Sequence, residues 1–245
     1  MPSALLVVSE EGYWGEECVE PLTTLDDAGV DVTVATPSGG PAVLDERSVD
    51  PENVDEETAE WVKEVAESDD RLNDPEPLAP EEAADYDAVV FPGGHGTEWD
   101  VNQDADARRI LRNAVAGDSG KALVVCHAVG ILAWTREAPR ASEGTSGEGT
   151  DRQGQAGDGD YLAAGRSVTG FPNEWEEGIV DDHDRMPDGR KLPYWVEDEV
   201  KAVGADWDAE LDADTSVTVD GDLLTARGPG SSSAAADALL DELDA

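Results

Sequence analysis

Four short apolar runs limit what this chain can fold into. They lie at residues 4–8, 30–35, 87–91 and 121–125; the second, Val30-Asp31-Val32-Thr33-Val34-Ala35, alternates apolar with polar, and the other three are near-continuous runs of Val, Leu, Ala or Phe. A strand that reads as a near-continuous apolar run is covered on both faces, as in a parallel sheet packed between helices. Helix-like spacing separates the runs, at residues 17–28, 57–66 and 104–116, and Gly29 closes the first of these segments. The first two runs and the helix between them make one βαβ unit. The alternation predicts an α/β fold, an open and mainly parallel sheet with helices on both faces.

Beyond residue 126 the pattern loosens. A short apolar helix is expected over 128–134. Residues 138–160 are rich in Gly, Ser, Thr and acids without periodicity, which predicts a long solvated insertion. Order is expected to resume with a strand at 166–169, a turn and short helix at 173–178 and a helix at 193–203. A strand pair at 216–219 and 223–226 follows, across Asp220-Gly221-Asp222, and a last helix at 232–243. Residues 42–85 read as acidic and mixed, with a single helix in them. No boundary stands out, so one domain over 1–245 is expected.

Composition bears on this in one respect. The chain of 245 residues has 58 acidic residues against 16 Lys and Arg, a formal charge of −42, and 39% hydrophobic residues. Low hydrophobicity with high charge is a mark of disorder, but here the acids alternate with well-patterned apolar segments. They read instead as a shell around a folded core. Such a shell repels itself in dilute salt and is screened in strong salt, where the Debye length is about 3 Å at 1 M. The composition resembles that of cytoplasmic proteins from extreme halophiles. A surface this negative disfavours nucleic acid and anionic membrane as partners. Two cysteines, Cys18 and Cys126, make no disulfide framework. The N-terminal residues lack a basic stretch and a cleavage site, and no apolar run reaches membrane-spanning length, so a cytoplasmic location is expected.

Cys126 is the sharpest chemical feature. It follows an apolar strand directly and precedes a helix signal, the elbow geometry that lifts a nucleophile above the carboxyl ends of the strands. A helix N-terminus there would favour the thiolate. His127 beside it offers a group suited to proton transfer near neutrality. Pro92-Gly93-Gly94-His95-Gly96 also follows a strand, and its glycines let the backbone approach a ligand. The Gly94 and His127 N–H groups would form an oxyanion hole, with Gly93 and His95 lining the substrate site. Glu16 and Glu17 open the first helix, and spacing does not choose between them. The His and Cys spacings fit no zinc pattern, and the glycine loop fits neither a dinucleotide nor a P-loop motif. No metal and no cofactor are expected.

Together these residues resemble the ThiJ/PfpI superfamily, the class I glutamine amidotransferase-like fold, and within it the branch of heat-shock chaperones and glyoxalase III enzymes. The resemblance spans nearly the whole chain. It rests on Gly12-Tyr13-Trp14-Gly15-Glu16-Glu17 with Pro21, and on Ala35-Thr36-Pro37-Ser38-Gly39-Gly40 with Asp45 and Ser48. The block from Tyr86 to Gly96 with Asp100, and Val125-Cys126-His127-Ala128, are its most specific parts. Val168-Thr169-Gly170-Phe171, Glu176-Glu177, Leu192-Pro193 and Leu224-Thr225 complete it.

The resemblance implies a flavodoxin-like sheet and a homodimer. It implies Cys126 as nucleophile, His127 as its partner and Glu17 as the acid against the thiol. Glu176, rather than Glu174 or Glu177, would orient the histidine. The activity implied is glutathione-independent conversion of methylglyoxal-type 2-oxoaldehydes to 2-hydroxy acids through a hemithioacetal on Cys126. Deglycase activity toward glycated thiols or amines would accompany it. A stress chaperone, a cysteine peptidase or amidase on the same Cys-His pair, and a redox sensor at Cys126 are the alternatives. Two departures from the family pattern stand out. Ala226-Arg227-Gly228-Pro229-Gly230 replaces the usual Gly-Gln-Asn-Pro-Ala, and Trp175 stands where an acid is common.

Overall fold

The four apolar runs become neighbours in a seven-stranded sheet. A computed structural model describes residues 1–79, 86–116, 120–137 and 160–243. Its strands are β1 (Ser3–Val7), β2 (Asp31–Thr36), β3 (Glu76–Pro77), β4 (Ala88–Phe91), β5 (Lys121–Val125), β6 (Ser167–Val168), β7 (Asp206–Trp207), β8 (Val217–Asp220) and β9 (Leu223–Ala226). The main sheet runs β3-β2-β1-β4-β5-β9-β8, while β6 and β7 pair separately. Every pairing in the main sheet is parallel except the β8–β9 hairpin. This is the flavodoxin-like, mainly parallel architecture.

The helices are α1 (Gly15–Asp27), α2 (Glu56–Ser68), α3 (Asp70–Asn73), α4 (Ala105–Ala116), α5 (Asn173–Glu176), α6 (Val196–Ala202) and α7 (Ser232–Glu242). They cover both faces of the sheet. Leu5, Val89 and Val124 pack on one side with Ile110 and Leu111 of α4. Leu6, Val90 and Val125 pack on the other with Leu22 and Leu25 of α1 and Leu239 of α7. Successive residues of β1, β4 and β5 thus enter opposite cores, which is why no polar alternation interrupts those runs, whereas β2 begins with exposed Asp31 and half-buried Thr33.

The structure departs from the sequence reading in places. The segment after β2 holds more than one helix: α3 and the edge strand β3 were not foreseen, β3 being only two residues long. The apolar segment at the elbow is a 3-10 helix, Cys126–Ala133, that begins at the cysteine itself. The strand expected at 166–169 belongs to the small second sheet. The insertion expected at 138–160 lies, but for Asp160, outside the described residues; its flanks meet where the Glu137 N–H donates to the Asp160 carbonyl at 2.9 Å.

Among the described acids only Glu17, Glu98 and Glu176 are buried. Most of the rest lie on the surface, with a few, such as Asp45 and Asp100, partly buried. Cations on that surface are shared: Arg71 bridges Asp26 and Asp69, and Lys121 bridges Asp222 and Glu242. No helix among the described residues is long and apolar enough to cross a membrane.

Candidate active site

The chain turns sharply at the end of β5. Cys126 has φ +57°, left-handed backbone that costs a residue with a Cβ about 1–2 kcal/mol. Strain of this kind persists only where the surroundings fix it. Here it aims the side chain across the carboxyl ends of the strands, and the residue is only 3% exposed.

The loop after β4 comes up beside it. Gly94 has φ +105°, and a Cβ there would lie 2.5 Å from the Trp14 amide nitrogen, so only glycine fits. The two loops are fastened to each other. Trp14 N–H donates to the Gly93 carbonyl and Gly96 N–H to the Gly12 carbonyl, both at 3.0 Å. The Asp100 carboxylate accepts from the Ser9 hydroxyl at 2.9 Å and the Glu10 N–H at 2.7 Å. Burial holds that carboxyl up to about 6. This clamp sets the start of α1, and so the position of Glu17.

Glu17 is fully buried, whereas Glu16 is half-buried and accepts from the Trp14 indole N–H at 3.3 Å. The geometry thereby separates two residues that spacing could not. Neither Glu17 oxygen closes a hydrogen bond of full geometry. Burial pushes its carboxyl up to about 8, against the smaller pull of the Cys126 thiol and the Gly93 N–H that face it. It is therefore uncharged at neutral pH. The Cys126 thiol is also pushed well up, by burial first and then by Glu17, although the Gly94 and His127 N–H groups point at the sulfur and favour its charged form. The expectation that a helix N-terminus makes a thiolate here is corrected: burial outweighs the local dipoles.

A testable consequence concerns pH. Between the ordinary value of 4.5 and about 8 the folded chain keeps the Glu17 proton that the unfolded chain has lost. Rising pH therefore removes stability across that window, by at most about 1.4 kcal/mol per unit. Glu17→Gln has no such proton. Its melting temperature is expected to gain on that of wild type between pH 5 and 8; parallel curves would show that Glu17 titrates normally.

His127 lies on the other side of the sulfur, with Nδ1 3.2 Å from Sγ. Its Nε2–H donates to Glu176 Oε2 at 2.8 Å, which leaves the Nδ1 lone pair for the thiol proton. Glu176 Oε1 accepts from His95 Nε2–H at 3.0 Å. That tautomer of His95 is set from behind, because the Arg47 guanidinium donates to Nδ1 at 3.1 Å. Asp45 holds Arg47 through its Nε–H at 3.0 Å. Burial would raise Glu176, but the N–H groups of His127 and His95 hold it well below the usual carboxylate range. Burial, with His127 next to it, lowers His95 to about 4, so it stays neutral. Phe171 stacks on the His127 ring at 4.3 Å, and the Asn102 side chain donates to the His127 carbonyl at 2.8 Å.

Of the residues expected at the site, Cys126, His127, Glu17, Glu176, Gly93 and Gly94 converge. Glu174 and Glu177 are exposed and take no part. His95 also lies at the site, packed beside His127, with both ring nitrogens occupied by Glu176 and Arg47. Cys18 is a core residue of α1, its thiol raised by burial. Arg47 and Asn102 were missed. Asp45 and Ser48, already part of a motif, were the only signal near Arg47.

The same fold brings His95, His127 and Glu176 together so that one ligand atom of each lies within 4.8 Å of the others, a metal-capable trio drawn from three separate segments. Spacing along the chain could not have shown it. A cation there would have to displace both imidazole–carboxylate hydrogen bonds, and it would need a proton on His95 Nδ1, where Arg47 already donates.

Comparison with known proteins bears on the family and the fold. The model of the DJ-1/PfpI family matches residues 3–169. No curated protein matches the chain. Among solved structures, the 24 kDa Rapid Encystment Protein of Francisella tularensis has 22% identity and a TM-score of 0.76, covering 99% of each chain. Glyoxalase III from Candida albicans has 21% identity and a TM-score of 0.74, covering 98% of this chain and 96% of its own. DJ-1beta of Drosophila melanogaster has 21% identity and a TM-score of 0.60, covering 99% and 90%. Likenesses at these identities speak for the fold.

Proposed function

The chain belongs to the DJ-1/PfpI family, and from that membership we propose that it is a cofactor-free lyase of glyoxalase III type acting on small 2-oxoaldehydes. One observation carries the reading: a single buried thiol stands between an uncharged carboxyl, Glu17, and an imidazole lone pair, His127 Nδ1, 3.2 Å from Sγ. A 1,2-hydrogen shift asks for that arrangement, since a proton must leave one carbon and return to its neighbour.

The steps balance without an outside oxidant. Sγ adds to the aldehyde carbon of methylglyoxal while His127 takes the thiol proton, and the product is a hemithioacetal. The Gly94 and His127 N–H groups meet the oxygen that gains charge. Glu17, uncharged at first, gives its proton to that oxygen; as a carboxylate it then removes the proton from C1, and an enediol forms. Reprotonation at C2 leaves C1 oxidised to a thioester and C2 reduced to a hydroxyl-bearing carbon. Water then cleaves the C–S bond, releasing D-lactate and restoring the thiol. Glu176 keeps the His127 proton at Nε2 throughout.

Burial favours small substrates. A peptidase needs an open groove, whereas Cys126 is nearly enclosed. A chaperone needs a broad apolar surface, whereas the large exposed hydrophobic residues among those described (Met1, Val43, Trp175, Leu211 and Val219) come from five separate segments. The test is D-lactate formation from methylglyoxal in molar KCl without glutathione. Turnover by the purified chain is expected. A folded protein that makes none would overturn the reading.

A further inference from the structure

Gly228 follows β9 and faces the sulfur. Its φ of 170° is ordinary extended backbone, so its conformation does not call for glycine. Space does. A Cβ built there would lie 3.8 Å from Glu17 Oε1, 3.8 Å from Trp175 Cζ3 and 3.9 Å from Cys126 Sγ. It would touch all three and clash with none, so the point is empty and is bounded by the nucleophile, the acid and an aromatic edge. Reacting atoms meet at about 3–3.5 Å. A carbon at this point is therefore one bond beyond a carbon poised for attack by Sγ.

The aromatic wall is fixed in place. The Trp175 ring meets Phe171 edge to face at 5.7 Å between centroids. The Arg227 guanidinium lies 4.8 Å from the Trp175 centroid. Arg227 is itself buried, and it donates to the carbonyls of Ala209, Glu210, Ala213 and Asp214. Yet Trp175 is 37% exposed. It thus runs from the slot to the surface as a rigid apolar platform beside the reacting centre. A substituent leaving the slot has this ring to lie against, and planar apolar groups gain most from such a face.

We propose that the empty volume under Gly228 seats the carbon skeleton of the substrate, and that Trp175 selects substrates with a planar apolar substituent, so that aryl 2-oxoaldehydes are preferred to methylglyoxal. The inference rests on the lyase reading above and names the substrate class within it.

The test compares phenylglyoxal with methylglyoxal for wild type, Trp175→Ala, Gly228→Ala and Gly228→Val, with circular dichroism to establish folding. Wild type is expected to show the higher kcat/KM with phenylglyoxal. In Trp175→Ala the ratio of the two kcat/KM values should fall about tenfold, the size of one aromatic contact of about 1.4 kcal/mol, and mainly through KM for phenylglyoxal. Gly228→Val should stop both reactions, and Gly228→Ala should weaken both. A ratio unchanged in Trp175→Ala, or full activity in folded Gly228→Val, would overturn the proposal.

A second readout needs no turnover. Phenacyl bromide and iodoacetamide alkylate the same sulfur: His127 takes the thiol proton, an S–C bond forms, the halide leaves, and the adduct is weighed. Wild type should react faster with the phenacyl reagent relative to iodoacetamide, and Trp175→Ala should lose about tenfold of that preference. If neither aldehyde is turned over but this preference holds and depends on Trp175, the lyase reading fails and the slot stands. If turnover occurs and the preference does not depend on Trp175, the slot fails alone.

Discussion

Cys126→Ala is expected to make no measurable D-lactate, a loss of at least about 10⁴-fold, while remaining folded. The size follows from the chemistry: without sulfur no hemithioacetal forms, and no other described nucleophile reaches the same point. A companion variant tests the elbow. Alanine inherits the φ of +57° at this position, whereas glycine adopts it freely. Relief of strain is about 1–2 kcal/mol. Against it stands about 0.5–1 kcal/mol for the extra freedom glycine loses on folding. The balance is roughly 1 kcal/mol in favour of glycine, or about 2–4 °C in a chain of this length. Cys126→Gly should therefore melt above Cys126→Ala while being equally inactive. Equal melting temperatures would mean that the turn stores no strain. Residual lactate from either variant would remove Cys126 from the reaction.

Glu176→Gln is expected to lower kcat about 10³- to 10⁴-fold, comparable to amide replacement of the buried acid in a hydrolase triad. The carboxylate accepts Nε2–H from both His127 and His95. An amide offers one acceptor and one donor, so one imidazole meets N–H with N–H and must move its proton to Nδ1. If His127 moves it, the thiol loses its base. If His95 moves it, the new N–H faces the Arg47 donor. A second signature is in stability. The Glu176 carboxyl is held below its ordinary 4.5, so it contributes stability above that pH that is lost on acidification. The variant should be less stable than wild type at pH 7, and the gap should narrow as pH falls below 4.5. Activity within tenfold of wild type would show that Glu176 does not set the His127 tautomer.

Much of this was legible in the residues. The strands were readable because both faces of the sheet are covered, which leaves runs such as Leu5-Leu6-Val7 with no polar break. The elbow was readable because a strand ends at Val125 and the nucleophile is the next residue. Other features depend on where distant segments meet. Glu16 and Glu17 share one helical turn, and the clamp between the 12–14 loop and the 93–96 loop determines which of them faces the sulfur. Arg47 sits in a stretch whose acidity hides it, and its role exists only through His95, which is 48 positions away along the chain. The thiol's protonation was misjudged because dipoles can be read from sequence and depth of burial cannot. The 3-10 form of residues 126–133 shares its apolar pattern with an α-helix, so periodicity could not separate them.

The order in which the sheet closes has a consequence for how the protein is made. Strands β1, β2, β4 and β5 come from the first half of the chain, and they place Glu17, Gly94, Cys126 and His127 together. The strand that flanks β5 on its other side is β9, near the C-terminal end, and the glycine that faces the sulfur follows it. A nascent chain emerging from the ribosome would thus carry its reactive thiol for about a hundred residues of synthesis before Gly228 and Trp175 enclose it. Domains generally fold as units once their last elements are available. The thiol would thus stay open to stray electrophiles until β9 joins the sheet beside β5.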